Sequence, residues 1–272
     1  MSSDPEVGRC LGQIRELAGS LGDEVLALPP GAWDAPTNCP PWRVRQLIAH
    51  VVVSGEGFRQ SVERGLAGST EPPPSAGDRD RRIDELSASD PATVVAALNH
   101  VTDGFESLYH NLDEAGLETI CFHRRGNRSA RWYAYHRLAE VAFHRWDVQR
   151  SLGREARFDD AVARLLLPTL LESNAPRTYA AGLSAERGSG ERYLLAVDGD
   201  PTARWLVRVD PDRLDVTRGD GKADATIAGP AGQLALLVYG RTELEAARRH
   251  GAIRVEGDET VAARFPRLFP RP

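Results

Sequence analysis

The sequence is short of the residues that build cystine scaffolds and cysteine-rich metal modules. Its three cysteines, Cys10, Cys39 and Cys121, form an odd, scattered set without a C-x-x-C pair, and they read as reduced thiols. Lysine is nearly missing: Lys222 stands alone against 33 arginines, a bias that, with abundant Ala, Gly and Pro, marks the codon usage of a GC-rich bacterial genome. A basic block is also absent. Lys+Arg 34 against Asp+Glu 39 leaves a net charge of -5, which removes the electrostatic footprint of a general nucleic-acid binder. The strongest apolar runs, residues 47–53 and 234–239, fall far short of the ~18–20 residues of a membrane span, and Met1-Ser2-Ser3-Asp4-Pro5-Glu6 carries no basic n-region. These absences describe a cytoplasmic protein with small-molecule partners, no nucleic acid and no membrane, working as a monomer or small homo-oligomer.

What is present is organised in two parts. A length of 272 residues favours two domains at the usual ~100–200 residues each. Apolar positions recur every three or four residues through Leu11, Ile14, Leu17, Leu21, Val25 and Leu28, and again through Val44, Leu47, Ile48, Val51, Gly55, Phe58 and Val62. A third helix opens at Asp90-Pro91, an N-cap followed by proline at the first helical position, and carries Val94, Val95, Leu98, Val101, Phe105 and Leu108. A fourth is expected over residues 131–152. Proline- or glycine-rich punctuation at 29–41, 65–80 and 114–127 separates them, and four such helices make a four-helix bundle the economical expectation. Residues 65–80, with three consecutive prolines, read as a long mobile connection. A further helix over 159–171 leads out of the bundle.

Beyond Gly182 the period changes to two. Residues 193–197, 204–209, 213–218 and 223–228 alternate as strands between Gly, Asp and Pro turns, an apolar helix follows Gly229-Pro230, and a last strand and helix occupy 253–257 and 260–265. The expected domains are therefore 1–183, helical, and 184–272, α+β.

Two of the seven histidines stand out. His144 lies four residues after Glu140, so both side chains leave one helix face about a turn apart, near enough to share a divalent ion. His50 sits at the edge of the second helix's apolar stripe, directed at neighbouring helices. Two imidazoles and one carboxylate from facing helices leave coordination positions open, as catalytic zinc and non-haem iron sites do. The same Glu-x-x-x-His spacing also suits an ordinary solvated pair, so spacing by itself leaves both readings standing. His136 shares the face, but eight residues at ~1.5 Å each put it about 12 Å from His144 along the axis, too far for one ion; it is expected beside the site or on the surface. Asp147 reads either as an orienting partner for an imidazole or as a surface charge, and Trp42 and Trp146 as packing.

The surrounding residues resolve the choice through a resemblance. Residues 33–50, Trp33-Asp34-Ala35-Pro36-Thr37-Asn38-Cys39-Pro40-Pro41-Trp42-Arg43-Val44-Arg45-Gln46-Leu47-Ile48-Ala49-His50, resemble the W-x-x-P-T-x-C-P-G-W-T-V-R-D-L-x-A-H signature of mycothiol-dependent maleylpyruvate isomerases, a branch of the DinB-like metal-binding bundles. Glu140-Val141-Ala142-Phe143-His144-Arg145-Trp146-Asp147 is similar to that family's E-x-A-x-H-R-W-D stretch, and residues 190–270 resemble its sterol-carrier-like C-terminal domain. The resemblance implies a DinB-like four-helix bundle followed by a sterol-carrier-like α+β domain, with His50, Glu140 and His144 as metal ligands. It implies a divalent cofactor, zinc first and nickel, iron or manganese as alternatives, with mycothiol, the small thiol of actinobacteria, as thiol cofactor or cosubstrate. Arg241, in a Tyr239-Gly240-Arg241 turn like the family's G-R element, is the expected catalytic arginine, gripping a substrate carboxylate. Pro41 in place of glycine and Gln46 in place of aspartate depart from the signature where the ligand-bearing helix begins.

An open divalent site lowers the pKa of a thiol from near ~8.5 and holds it as thiolate against a substrate. Such a thiolate can add to an activated alkene, permit rotation and leave, which is isomerisation, or displace a leaving group, which is S-transfer. The alternatives are a hydrolase with metal-activated water and a non-catalytic small-ligand binding protein. None of the three cysteines is evidently placed as nucleophile; Cys39 alone could approach the ion. An external thiol is expected to fill the open position, in a cleft where the two domains meet.

Overall fold

The computed structural model describes residues 4–269; the opening Met1-Ser2-Ser3 lies outside them. It forms two compact units, residues 1–157 and 158–272.

The first unit contains four long helices: α1 (Pro5–Leu26), α2 (Val44–Leu66), α4 (Pro91–His110) and α6 (Ala130–Ser151). Shorter helices α3 (Arg79–Ser87) and α5 (Glu114–Leu117) and a two-residue ladder, β1 (Ile120–Cys121) with β2 (Arg128–Ser129), fill the connections. Side-chain caps define the starts. Asp4 accepts from the Glu6 and Val7 N–H groups, Asp90 from Thr93 and Ser129 from Trp132, each satisfying N–H groups that the first helical turn leaves free. α1 packs on α4 and α6, and α2 packs on the same two, so the helices close a square in which α2 and α6 are neighbours. Most of the apolar stripes expected from the sequence are buried: Leu11, Ile14, Leu21 and Val25 on α1, Val44, Leu47, Ile48 and Val51 on α2, and Val94, Leu98, Val101 and Phe105 on α4, with Leu17, Phe58 and Leu108 half-buried.

The second unit holds α7 (Asp160–Pro168), a π-helical turn over Thr169–Asn174, and α8 (Ala175–Ala180). Its sheet consists of β3 (Glu191–Val197), β4 (Arg204–Val209), β5 (Leu214–Arg218), β6 (Ala225–Gly229) and β7 (Arg254–Gly257) in the order β5-β4-β3-β6-β7. Only β3 and β6 pair in parallel. Helices α9 (Ala231–Val238), α10 (Leu244–Arg249) and α11 (Glu259–Leu268) complete it. The expected strands and helices recur within a few residues of their sequence-based bounds, with α8 and α10 as additions.

The boundary differs from the expected 183/184. Residues 158–183 belong to the second unit because the apolar stripe of α7, Val162, Ala163, Leu166 and Leu167, packs on α9. The contact is close: the Gly232 N–H donates to Asp160 Oδ1 at 2.8 Å, and a Cβ at Gly232 would lie 2.2 Å from the Phe158 carbonyl oxygen. Among the described residues no helix is long and apolar enough to cross a membrane.

Candidate metal centre

Residues 35–44 lead into α2 as a pinned loop. The Thr37 hydroxyl donates to the Trp42 carbonyl at 2.7 Å and accepts from the Cys39 N–H at 3.1 Å, and the Val44 N–H donates to the Ala35 carbonyl at 3.0 Å. Gln46 accepts from the Arg43 N–H at 2.9 Å, so this departure from the signature still fastens the first turn of the helix. The Asn38 N–H reaches Ser151 on α6 at 3.1 Å, which ties the loop to the helix bearing Glu140 and His144.

These constraints bring His50, Glu140 and His144 together, with one donor atom of each within 4.8 Å of the others. His50 Nε2 lies 3.1 Å and His144 Nε2 3.5 Å from Glu140 Oε2. That oxygen is buried, and neither contact has the alignment of a hydrogen bond. A buried carboxylate oxygen faced by two imidazole nitrogens and bonded to neither is what remains when three ligand atoms are aimed at a common point. The residues therefore fit a divalent ion with nitrogen, nitrogen and oxygen ligation.

The outer nitrogens are fixed as well. His144 Nδ1 lies 3.0 Å from Asp147 Oδ2, and the Cys39 thiol donates to the same oxygen at 3.2 Å. His50 Nδ1 lies 3.1 Å from Ser54 Oγ and 2.9 Å from Arg79 Nη2. The Trp42 ring covers His50 at 4.6 Å between centroids, and the two imidazoles meet edge to face at 5.0 Å. Asp147 is completely buried, which removes its reading as a surface charge, and Trp42 walls the site as well as packing.

Electrostatics follow from burial and pairing. Burial pushes Glu140 upward, but the closeness of the His144 and His50 imidazoles, 3.5 and 3.1 Å from Oε2, outweighs it and holds the carboxyl well below its ordinary range. Burial disfavours the charged form of His144, yet Asp147, Cys39 and Glu140 together raise its pKa well above that of a free imidazole. His50 is lowered, chiefly by burial. The site thus sets an ionised Glu140 against a protonated His144, and a divalent ion held by these residues would take the place of that proton.

A cavity of about 470 Å³ opens beside His50 and Glu140, lined wholly by the first unit. Phe58, Phe122 and Tyr133 supply apolar wall, and Arg79, Arg81, Arg82 and Arg124 supply positive charge. Residues 65–80 are more than a connection, since Pro73, Asp78 and Arg79 form part of this wall. His136 also lines it, stacked on Trp132 at 4.4 Å and tilted against Phe58 at 4.6 Å, with Nε2 4.0 Å from Glu140 Oε1. It stands beside the site and not on the surface.

Arg241 lies in the second unit. Its N–H donates to the Leu236 carbonyl at 2.8 Å, closing α9 after Gly240 at φ 70°, and its guanidinium sits 5.3 Å from the Tyr239 ring. Sequence reasoning did not reach Ser54, Arg79 or Arg137. Ser54 follows His50 by four residues and Arg137 precedes Glu140 by three, so helical spacing held a signal for both.

Residues 14–149 match the family model described as mycothiol maleylpyruvate isomerase N-terminal domain, and residues 172–270 match the SCP-2 sterol transfer family. The chain is similar to the crystal structure of the mycothiol-dependent maleylpyruvate isomerase, with TM-score 0.64 and 17% identity over 92% of each chain. A histidine-to-alanine mutant of that enzyme matches with TM-score 0.63 and 15% identity, again over 92% of each chain. Identities this low establish the shared fold. No curated protein matches the sequence.

Proposed function

The chain belongs to the mycothiol maleylpyruvate isomerase N-terminal domain family, and from that premise we propose a metal- and thiol-dependent enzyme that isomerises a small unsaturated carboxylate. The metal ligands are His50, Glu140 and His144, and the observation that carries the reading is the buried, unbonded Glu140 Oε2 facing both Nε2 atoms. A divalent ion bound there would lower the pKa of a coordinated thiol and hold its sulfur beside the cavity. Zinc suits this donor set first, with nickel, iron or manganese as alternatives.

The protein's own groups prepare the ligands. Asp147 holds the His144 ring proton on Nδ1 and so presents the Nε2 lone pair inward. Ser54 Oγ can accept the Nδ1 proton of His50 in the same way. Ligation by His50 in that tautomer leaves Arg79 no lone pair at Nδ1 and turns its guanidinium to the cavity it already lines. The aromatic wall with its arginines suits an electrophile that combines a flat apolar body with a carboxylate. The isomerase named among the structural relatives favours reversible thiol addition over S-transfer. Arg241 is assigned to a substrate carboxylate, and Arg241→Ala should raise KM with metal content unchanged.

Elemental analysis tests the ligand set. Glu140→Ala should lose the stoichiometric ion, while His136→Ala should keep it; full retention in Glu140→Ala would sink the assignment. Calorimetry with mycothiol on metal-loaded and chelated protein tests the thiol, and binding indifferent to the metal would refute its role.

A further inference from the structure

Arg137, on α6 three residues before Glu140, is completely buried. Its Nη1 donates to the Val51 carbonyl of α2 at 2.5 Å, while Nε and Nη2 are buried without a hydrogen-bond partner. Among the described residues no carboxylate lies within ion-pair distance of it. α2 makes room for the group: a Cβ at Gly55 would stand 2.8 Å from both Cζ and Nη1. Burial brings the Arg137 pKa down to about 10, opposed by the field of Glu140, so the side chain stays charged at neutral pH. A buried guanidinium with unsatisfied donors is expensive, and an apolar side chain of similar volume would fill the space at lower cost.

The loaded metal centre gives this charge a purpose. The ionised groups closest to the candidate ligands are Glu140 itself, the fully buried Asp147 and Arg137, and the partly exposed Arg79 at 2.9 Å from His50 Nδ1; the two imidazoles would be neutral once ligating. A divalent ion balances the two carboxylates. Arg137 and Arg79 then add positive charge, and of the two only Arg137 is fully buried, in a medium where charges interact several-fold more strongly than in water.

We propose that Arg137 raises the positive charge of the metal centre from its solvent-closed side, so that its open coordination position selects an anionic ligand over a neutral one. The inference rests on the metal reading of the preceding subsection. It explains why a guanidinium is kept where packing alone would favour an apolar residue, and why its Nε and Nη2 need no ion-pair partner. Arg137 touches neither metal nor substrate and acts through its field on the ligand that binds.

Two variants separate charge from packing. Arg137→Gln keeps an N–H donor for Val51 without the charge, and Arg137→Lys keeps the charge without the fork. The probes are cobalt(II), measured by chelator competition, and azide, titrated through the visible absorption of the cobalt protein. Arg137→Gln should bind cobalt more tightly and azide more weakly, each on the order of tenfold, and Arg137→Lys should stay near the unaltered protein. A merely structural role would weaken cobalt binding in Arg137→Gln, and that result overturns the proposal. Equal azide affinity in all three proteins overturns it while leaving the metal reading intact, whereas no cobalt binding by the unaltered protein removes both. If Arg137→Gln does not fold, Arg137→Met, which fills the space without charge, takes its place: it should bind cobalt more tightly and azide more weakly than Arg137→Lys, and equal azide affinity in the two refutes the charge role.

Discussion

The replacement Asp147→Asn tests how far the metal centre depends on groups that never touch the ion. Asp147 Oδ2 lies 3.0 Å from His144 Nδ1 and accepts the Cys39 thiol at 3.2 Å, in a place with no solvent exposure. The carboxylate fixes the proton on Nδ1, turns the Nε2 lone pair toward Glu140, and makes the imidazole a stronger donor to a cation. Asparagine is nearly isosteric and can still accept from Nδ1–H, so the ring orientation survives while the charge is lost. Losing a partner of this kind costs about 10- to 100-fold in metal affinity, or about 1.4–2.7 kcal/mol. Zinc affinity measured by chelator competition at fixed pH, with circular dichroism to confirm folding, reads the effect. Cys39→Ala removes only a neutral donor to the same oxygen and should cost less than about threefold, since neutral hydrogen bonds contribute little net energy. A folded Asp147→Asn protein with undiminished affinity would refute the reasoning. A Cys39→Ala loss as large as that of Asp147→Asn would instead make the thiol a ligand.

Gly55→Ala should destabilise the bundle by about 1–3 kcal/mol through overpacking against the immobile Arg137 guanidinium, while Gly12→Ala, whose Cβ would meet nothing within 4 Å, should be neutral or stabilising. Urea unfolding midpoints compare the two. Burial depresses His136 to about 4 and His123 to about 3, so both are neutral in the fold and take up protons near pH 6.5 when unfolded. Stability is complete above that value and falls as the pH drops toward 4, by about 2 kcal/mol for His136 between pH 6.5 and 5. His136→Phe should flatten that part of the profile, and an unchanged acid limb in denaturation experiments would contradict the assignment.

The long helices were legible because their apolar residues recur at helical spacing over five or six turns, and the strands because their alternation is bounded by turn residues. Short elements lack that length. α3 buries only Ile83, Leu86 and Ser87 among charged neighbours, and α10 buries only Leu244 and Ala247. The unit division at 157/158 was not legible for a different reason. The stripe Val162, Ala163, Leu166 and Leu167 announces that α7 has an apolar face but not which partner covers it, and the partner is α9, about seventy residues further on. His136 shows the same limit: helical geometry separates it from His144, whereas its burial depends on Phe58 of another helix.

The candidate site was legible in proportion to how much of it lies on one helix. Arg137, Glu140, His144 and Asp147 follow one another at spacings of three, four and three, the period of a bundle's core seam. On α1 and α4 that seam is almost wholly apolar; on α6 it carries two carboxylates, an imidazole and a guanidinium, all of them facing inward. Polar groups along a core seam are too costly to persist unpaired, so the pattern itself demands partners from neighbouring helices. His50 and Ser54, one turn apart on α2, answer it, as does the Val51 carbonyl between them. Cys39 meets Asp147 across 108 residues of sequence, a contact that only the folded loop before α2 creates. A polar stripe at core period is thus a local sign of a buried site. The groups that complete it come from the tertiary fold, and no spacing along a single helix could name them.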